Sequence, residues 1–148
     1  MANNQFKRGE LYSVINAMAA AAIARRMQKN FRAAGLEITI EQWSVLYHLW
    51  KEDGLNQQQL CEKTFRDKPS ITRLIDNLVK LCLVERKVSE TDKRVNYIFL
   101  SNIAKNLQDQ TIEIANQTMD EALTGITKSE IETVKNVLQK VYDNLNNQ

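Results

Sequence analysis

The sequence predicts a mainly α-helical chain with one small β-hairpin and a long helix at each end. Three observations predict it. Only four glycines and one proline interrupt 148 residues, so helices run with few breaks. Apolar residues recur at offsets of three and four through most of the chain, the period of a helix face. Residues 84–88 and 94–100 are instead β-rich runs around a polar turn at 89–93, which reads as a hairpin. That turn has no glycine, so a loop longer than two residues is expected.

Composition bounds the rest. A 43% hydrophobic and 26% charged chain of this length reads as one globular domain able to bury a core. No apolar run approaches the roughly 18 residues that span a bilayer. The opening MANNQFKRGE has no apolar core of a secretory signal, so a cytoplasmic location is expected, with no membrane partner. Cys61 and Cys82 make no disulfide framework. One histidine and no paired-cysteine spacing predict neither a metal nor a cofactor. There is no nucleophile–base pair, Gly-rich phosphate loop or HExxH, so no enzyme is expected. The net charge of +2 is mild, but residues 63–94 hold nine Lys/Arg against five Asp/Glu. The positive excess therefore sits on one segment, where phosphate contacts would need it.

The first helix is predicted over 8–34, on Leu11, Ile15, Met18, Ala22 and Met27 and an alanine-rich run, with Gly35 ending it. Arg25, Arg26, Lys29 and Arg32 read first as a solvated flank suited to the helix dipole, with DNA contact as the alternative. Thr39-Ile40-Glu41-Gln42 is a capping box opening a helix to Lys51. Trp43, Leu46, Tyr47 and Trp50 share one face and Val45 and Leu49 another, so this helix lies between layers. Its aromatics read as core, or else as the lining of a pocket. His48 reads as a half-buried histidine with one hydrogen-bond partner.

Glu52-Asp53-Gly54 stops that helix, and Asn56 caps a short one ending near Arg66. Asp67 caps the next, with Pro69 in its first turn, where a missing N–H costs nothing. Two short helices across a break of about three residues are helix-turn-helix geometry. In the second, Ile71, Leu74, Ile75, Leu78 and Leu81 form the core stripe, and Pro69, Thr72, Arg73, Asp76 and Lys80 lie opposite, flanked by Ser70 and Asn77. A helix that packs inward and presents a polar N-terminal half, followed by a basic hairpin, is a winged helix-turn-helix in outline. An amphipathic helix beside a surface hairpin would look the same on this stretch alone.

Ser101 caps a helix to about Leu123, with Ile103 and Leu107 starting one stripe and Ile112, Ala115, Met119, Ala122 and Ile126 continuing a second. Thr127-Lys128-Ser129-Glu130 is a capping box for the last helix. There Ile131, Val134, Leu138, Val141 and Leu145 make a heptad-like seam that wants a partner helix, in the same chain or a second copy.

Element order and motifs together resemble the MarR family of bacterial transcriptional regulators over nearly the whole chain. The carrying segments are Ser70-Ile71-Thr72-Arg73-Leu74-Ile75-Asp76-Asn77-Leu78, Leu83-Val84-Glu85-Arg86, Asp92-Lys93-Arg94 and Leu100-Ser101. The resemblance implies a homodimer held by helices in 1–35 and 101–148, Leu11 and Ile15 among their contacts, with residues 36–100 as the winged lobe. It implies double-stranded DNA as partner, read as a pseudo-palindrome, and control by a small anionic or phenolic effector or by cysteine oxidation. Carried over by position, Ser70, Thr72 and Arg73 enter the major groove, Lys68 and Asn77 suit phosphates, Arg94 is the wing arginine and Asp92 the acid that holds the wing. Arg86, Lys87 and Lys93 add affinity through counterion release. Trp43, Tyr47 and His48 are the residues nearest an effector site. Cys82 and Ala104 stand where the family has glycine, which puts the turn after the recognition helix in question. The first helix lacks the reactive cysteine of peroxide-sensing members; Cys61 and Cys82 read as structural, and redox sensing is not expected. The competing reading is a winged-helix module for protein contact, which would show no salt-dependent affinity for duplex.

Overall fold

The computed structural model describes residues 10–147. Its elements are α1 (Glu10–Ala33), α2 (Ile40–Lys51), β1 (Leu55–Asn56), α3 (Gln57–Thr64), α4 (Lys68–Lys80), β2 (Val84–Val88), β3 (Asn96–Leu100), α5 (Asn102–Ala122) and α6 (Lys128–Asn146). The chain divides into two compact units, one running to Thr118 and one from Met119 onward.

Local sequence explains several boundaries in the first unit. The side chains of Thr39 and Asn56 each accept a hydrogen bond from the backbone N–H three residues on, and the Gln42 and Gln59 side chains each accept one from the cap's own N–H. The start of α1 predicted at residue 8 falls outside the described residues, as does the side chain of Leu11. Its end is as expected: Gly35 at φ +75 lets Leu36 N donate to Phe31 O at 2.9 Å, with both side chains buried. α3 stops at Thr64, short of Arg66, because Phe65 turns left-handed at φ 58.

The core gathers Val45, Leu46 and Leu49 of α2, Leu60 of α3, Ile71, Ile75 and Leu78 of α4, and Leu55 and Ile98 of the sheet, all 0–1% exposed. Each contributes roughly 1.5–3 kcal/mol by leaving water. Leu74 is half-buried, and Leu81, expected on the same stripe, is exposed because the helix ends at Lys80.

The hairpin forms with Val84 opposite Leu100 and Val88 opposite Asn96. Its second strand begins at Asn96 rather than residue 94. The sheet also has a third strand: β1 pairs antiparallel with β3, Leu55 against Ile98, giving the order β1-β3-β2. Two residues are too few to show a period-two pattern, so β1 left no signal in the sequence.

On α5 the two expected stripes meet the core only in part: Leu107 and Ala115 pack against it, half-buried, whereas Met119 is exposed. The fully buried positions are Ala104, Thr111 and Thr118, while Ile103 is 55% exposed. The threonines tolerate burial because each hydroxyl donates to its own helix, Thr111 to Gln108 O and Thr118 to Ile114 O. Thr118 Oγ1 also accepts from Asn30 Nδ2 of α1 at 2.9 Å.

In the second unit α6 opens on the predicted capping box of Thr127 and Glu130. Along its seam Ile131 and Leu138 are half-buried, whereas Val134, Val141 and Leu145 are exposed.

Candidate nucleic-acid interface

α4 is built to show its N-terminal half. The Asp67 carboxylate accepts from Ser70 N at 2.8 Å, and that bond holds its acid below the usual carboxylate range. Pro69 sits in the first turn, and Ile71, Ile75 and Leu78 anchor the inner face. Arg73, Lys68 and Pro69 are exposed, with Ser70, Thr72 and Asn77 half-exposed beside them. Lys68, Thr72, Arg73, Asp76 and Asn77 line one shallow outer groove.

The helix ends in a Schellman turn. Leu83 N donates to Leu78 O and Cys82 N to Val79 O, both at 2.9 Å. Cys82 takes the left-handed position at φ 58. The turn is therefore the one a glycine would make, kept in spite of the side chain. Cys82 is exposed, whereas Cys61 is half-buried. Burial pushes the Cys61 thiol up, and the nearby Asp67 charge adds to that.

The wing loop is held by its own polar groups. Asp92 Oδ1 accepts from Arg94 N at 2.9 Å, Asp92 O accepts from Val95 N, and Ser89 N donates to Val95 O. Lys93 and Arg94 stand exposed at its end. Asp92 thus has the role the family resemblance implied. Lys87 Nζ lies 4.7 Å from the centre of the Phe99 ring, a cation–π contact that leaves the residue exposed.

α4 and the wing are joined directly. Arg86 Nη2 is 2.7 Å from Asp76 Oδ1. Between them and α3 lies a groove of about 440 Å³ whose lining includes Gln57, Lys68, Thr72, Asp76, Arg86 and Arg94. The structure thus brings the expected Lys68, Thr72, Arg86 and Arg94 together, while Ser70, Arg73, Asn77, Lys87 and Lys93 lie outside that groove. Sequence reasoning missed Gln57, whose amide donates to the Thr72 hydroxyl at 3.2 Å, and Asp53. The Asp53 carboxylate accepts from Leu100 N at 2.9 Å and from Gly54 N, fixing the end of the wing to the α2–β1 turn. The Asp-Gly pair after α2 was the available signal, but it read only as a helix stop.

Trp43, Tyr47 and His48 form one strip on α2. Ring centres are 6.2 Å apart for Phe31–Trp43, 5.3 Å for Trp43–Tyr47 and 5.5 Å for Tyr47–His48, with Lys51 Nζ 4.4 Å from the Tyr47 ring. All three are half-buried, and the Trp43 Nε1 is buried without a hydrogen-bond partner. Partial burial lowers the His48 pKa, helped by the charges of Lys63 and Lys51, so the neutral ring is favoured.

A three-stranded antiparallel sheet whose hairpin flanks the second helix of a helix-turn-helix defines a winged helix-turn-helix. Residues 35–95, the lobe holding α4 and most of the wing, match the sequence model of the MarR family. The chain as a whole has the fold of the MarR-family transcriptional regulators. It is 28% identical to the transcriptional regulator PA3341, with a TM-score of 0.79 over 93% of this chain and 99% of that one. S. aureus MepR, solved as a DNA complex, has 24% identity and a TM-score of 0.81 over 90% and 97%. Bordetella bronchiseptica BpsR, solved to explain regulation of its DNA binding by 6-hydroxynicotinic acid, has 17% identity and a TM-score of 0.83 over 94% and 98%. Among the described residues no helix is long and apolar enough to cross a membrane.

Proposed function

We propose that the protein is a homodimeric, sequence-specific DNA-binding repressor whose two winged lobes read the halves of a pseudo-palindromic operator. The observation that carries this reading is the outward face of α4 continuing, through the Asp76–Arg86 pair, into a wing that ends in two exposed cations. Arg73 makes the base-edge contact in the major groove, with Ser70 and Thr72 beside it. Arg94 enters the adjoining minor groove. Lys68, Asn77, Lys87 and Lys93 meet phosphates, and Arg86 acts on the wing through Asp76 as well as by its charge. The MepR complex supports duplex DNA as the partner for this fold.

Residues 1–35 and 101–148 supply the dimer contacts, and residues 36–100 form the DNA-reading lobe. Support comes from the exposed apolar positions of α1, where Ile15 and Met18 are 58% and 65% exposed, and from the open seam of α6. Two lobes fixed in this way reach half-sites about one helical turn, roughly 34 Å, apart. A small anionic or phenolic effector at Trp43, Tyr47 and His48 would bind one lobe spacing better than another and so release the operator. The BpsR precedent and the unpaired Trp43 N–H support that site.

The test is selection of binders from a labelled random duplex pool, followed by anisotropy titration of the selected duplex at several salt concentrations. A palindromic motif with steeply salt-dependent affinity is expected, and Arg73→Ala and Arg94→Ala each weaken it by about 1–3 kcal/mol without changing the melting temperature. If the folded protein retains no duplex at low salt, the reading fails in favour of a protein-interaction module.

A further inference from the structure

α4 has two flanks, and only one faces the wing. At 100° per residue Lys68, Thr72 and Asp76 fall on the wing side, and Ser70, Arg73 and Asn77 on the other. The second flank borders a cleft of about 280 Å³ against the start of α2, lined by Thr39, Glu41, Arg66, Ser70, Arg73 and Asn77. Arg66 belongs to the three-residue turn between α3 and α4. The left-handed Phe65 before it ends α3, and Arg66 N then donates to Cys61 O. The Arg66 Nε is buried and has no hydrogen-bond partner. A guanidinium nitrogen shut away from water without an acceptor costs more than a neutral polar group left in that state, so it marks a place where an acceptor arrives.

We propose that this cleft seats a phosphodiester of the duplex, giving the recognition helix a second backbone contact on the side away from the wing. The inference rests on the DNA-binding reading above. Two guanidiniums against the single carboxylate of Glu41 leave the cleft positive. The Ser70 hydroxyl and Asn77 amide add donors, and Leu74 is the apolar exception in the lining. That donor set suits a tetrahedral anion with several oxygens and does not suit an aromatic effector. The anion is a phosphate of bound DNA because Arg73 and Asn77 also line the outer groove of α4, so the cleft opens onto the face the duplex would cover. Arg66 lies on one side of the helix, and Lys68, the proposed phosphate contact of the wing side, on the other. Phosphate contacts on both flanks set the helix's register in the major groove and leave base choice to Arg73.

The test compares wild type, Arg66→Gln and Arg66→Lys as full chains, by anisotropy on a labelled random duplex pool across a salt series, alongside thermal melts. Arg66→Gln is expected to weaken binding equally for all sequences and to lower the slope of log K against log salt by about 0.9 for each phosphate it no longer neutralises. Arg66→Lys keeps the slope but binds more weakly, because an ammonium cannot make the paired bonds of the planar fork. If Arg66→Gln melts early, Arg66→Lys decides: wild-type affinity in that variant overturns the seat. Wild-type slope and affinity in a folded Arg66→Gln overturn it too, leaving the DNA reading intact. Melts repeated in inorganic phosphate and in chloride at equal ionic strength separate the two phosphate sources. A phosphate-specific rise in melting temperature that Arg66→Gln abolishes while duplex binding stays wild-type assigns the cleft to free phosphate and overturns the DNA contact. No binding by wild type at any salt removes both readings together.

Discussion

Cys82 shows how much backbone geometry a single residue can carry. It holds the left-handed position of the turn that ends α4, at φ 58, where an L side chain crowds its own carbonyl at a cost of roughly 1–2 kcal/mol. The turn persists because Leu83 and Leu78, both buried, close it from within and their backbones are hydrogen bonded at 2.9 Å. Cys82→Gly therefore relieves strain while adding freedom to the unfolded chain, and the first effect is the larger. We expect a stabilisation of about 0.5–1 kcal/mol, seen as a higher urea midpoint with unchanged slope. A midpoint that falls would show that the thiol contributes a contact the geometry does not reveal. The motif resemblance located this residue but not the outcome, since the sequence alone does not say whether a non-glycine changes the turn or is strained by it.

At the scale of elements, the Asp76–Arg86 pair ties α4 to the wing. The two side chains are 48% and 29% exposed, so solvent screening leaves the pair worth no more than about 1 kcal/mol of stability. Its effect falls on alignment. Asp76→Asn frees Arg86, and we expect a melting temperature close to wild type, tighter binding to random duplex and weaker discrimination of the selected operator. Arg86→Ala should lose discrimination as well, and the double variant should lose no more than the larger single loss, because both remove one tie. Additive losses would mean that the two residues act separately on DNA. The sequence placed Arg86 among the phosphate contacts and Asp76 on the outer helix face. Their meeting depends on the hairpin register, which pairs Arg86 with Ile98 and which no local pattern encodes. The helices themselves were legible because capping boxes and buried apolar stripes are local signals. α5 was legible only in part: Leu107 and Ala115 pack against the core as their stripes predicted, but the fully buried positions include threonines whose hydroxyls bond within the helix, which hydropathy alone does not mark.

At the scale of the whole molecule, the apolar residues that leave water in the winged lobe contrast with those that stay in it on α1 and α6. Val134, Val137, Val141, Tyr142 and Leu145 are each at least 37% exposed on α6, and Tyr12, Val14, Ile15 and Met18 on α1 are at least 41% exposed. Helix faces this rich in large apolar side chains each need a cover, and a second copy supplies it under the dimer reading. On the proposed function one winged lobe would contact one half-site and its partner would then bind the other as an intramolecular step, multiplying affinity by roughly 10²–10⁴ when the spacing fits. Charging the α6 surface breaks that gain without touching the lobe. Val134→Glu with Val141→Glu is expected to sediment as a monomer, retain the helical circular dichroism spectrum of a folded chain, and bind a single half-site duplex as wild type does. Its affinity for a two-half-site duplex should fall about 100-fold or more. A double variant that still sediments as a dimer would place the contact elsewhere. A monomer that holds the full operator at wild-type affinity would mean that one lobe suffices, and the second half-site would then need another explanation than symmetry.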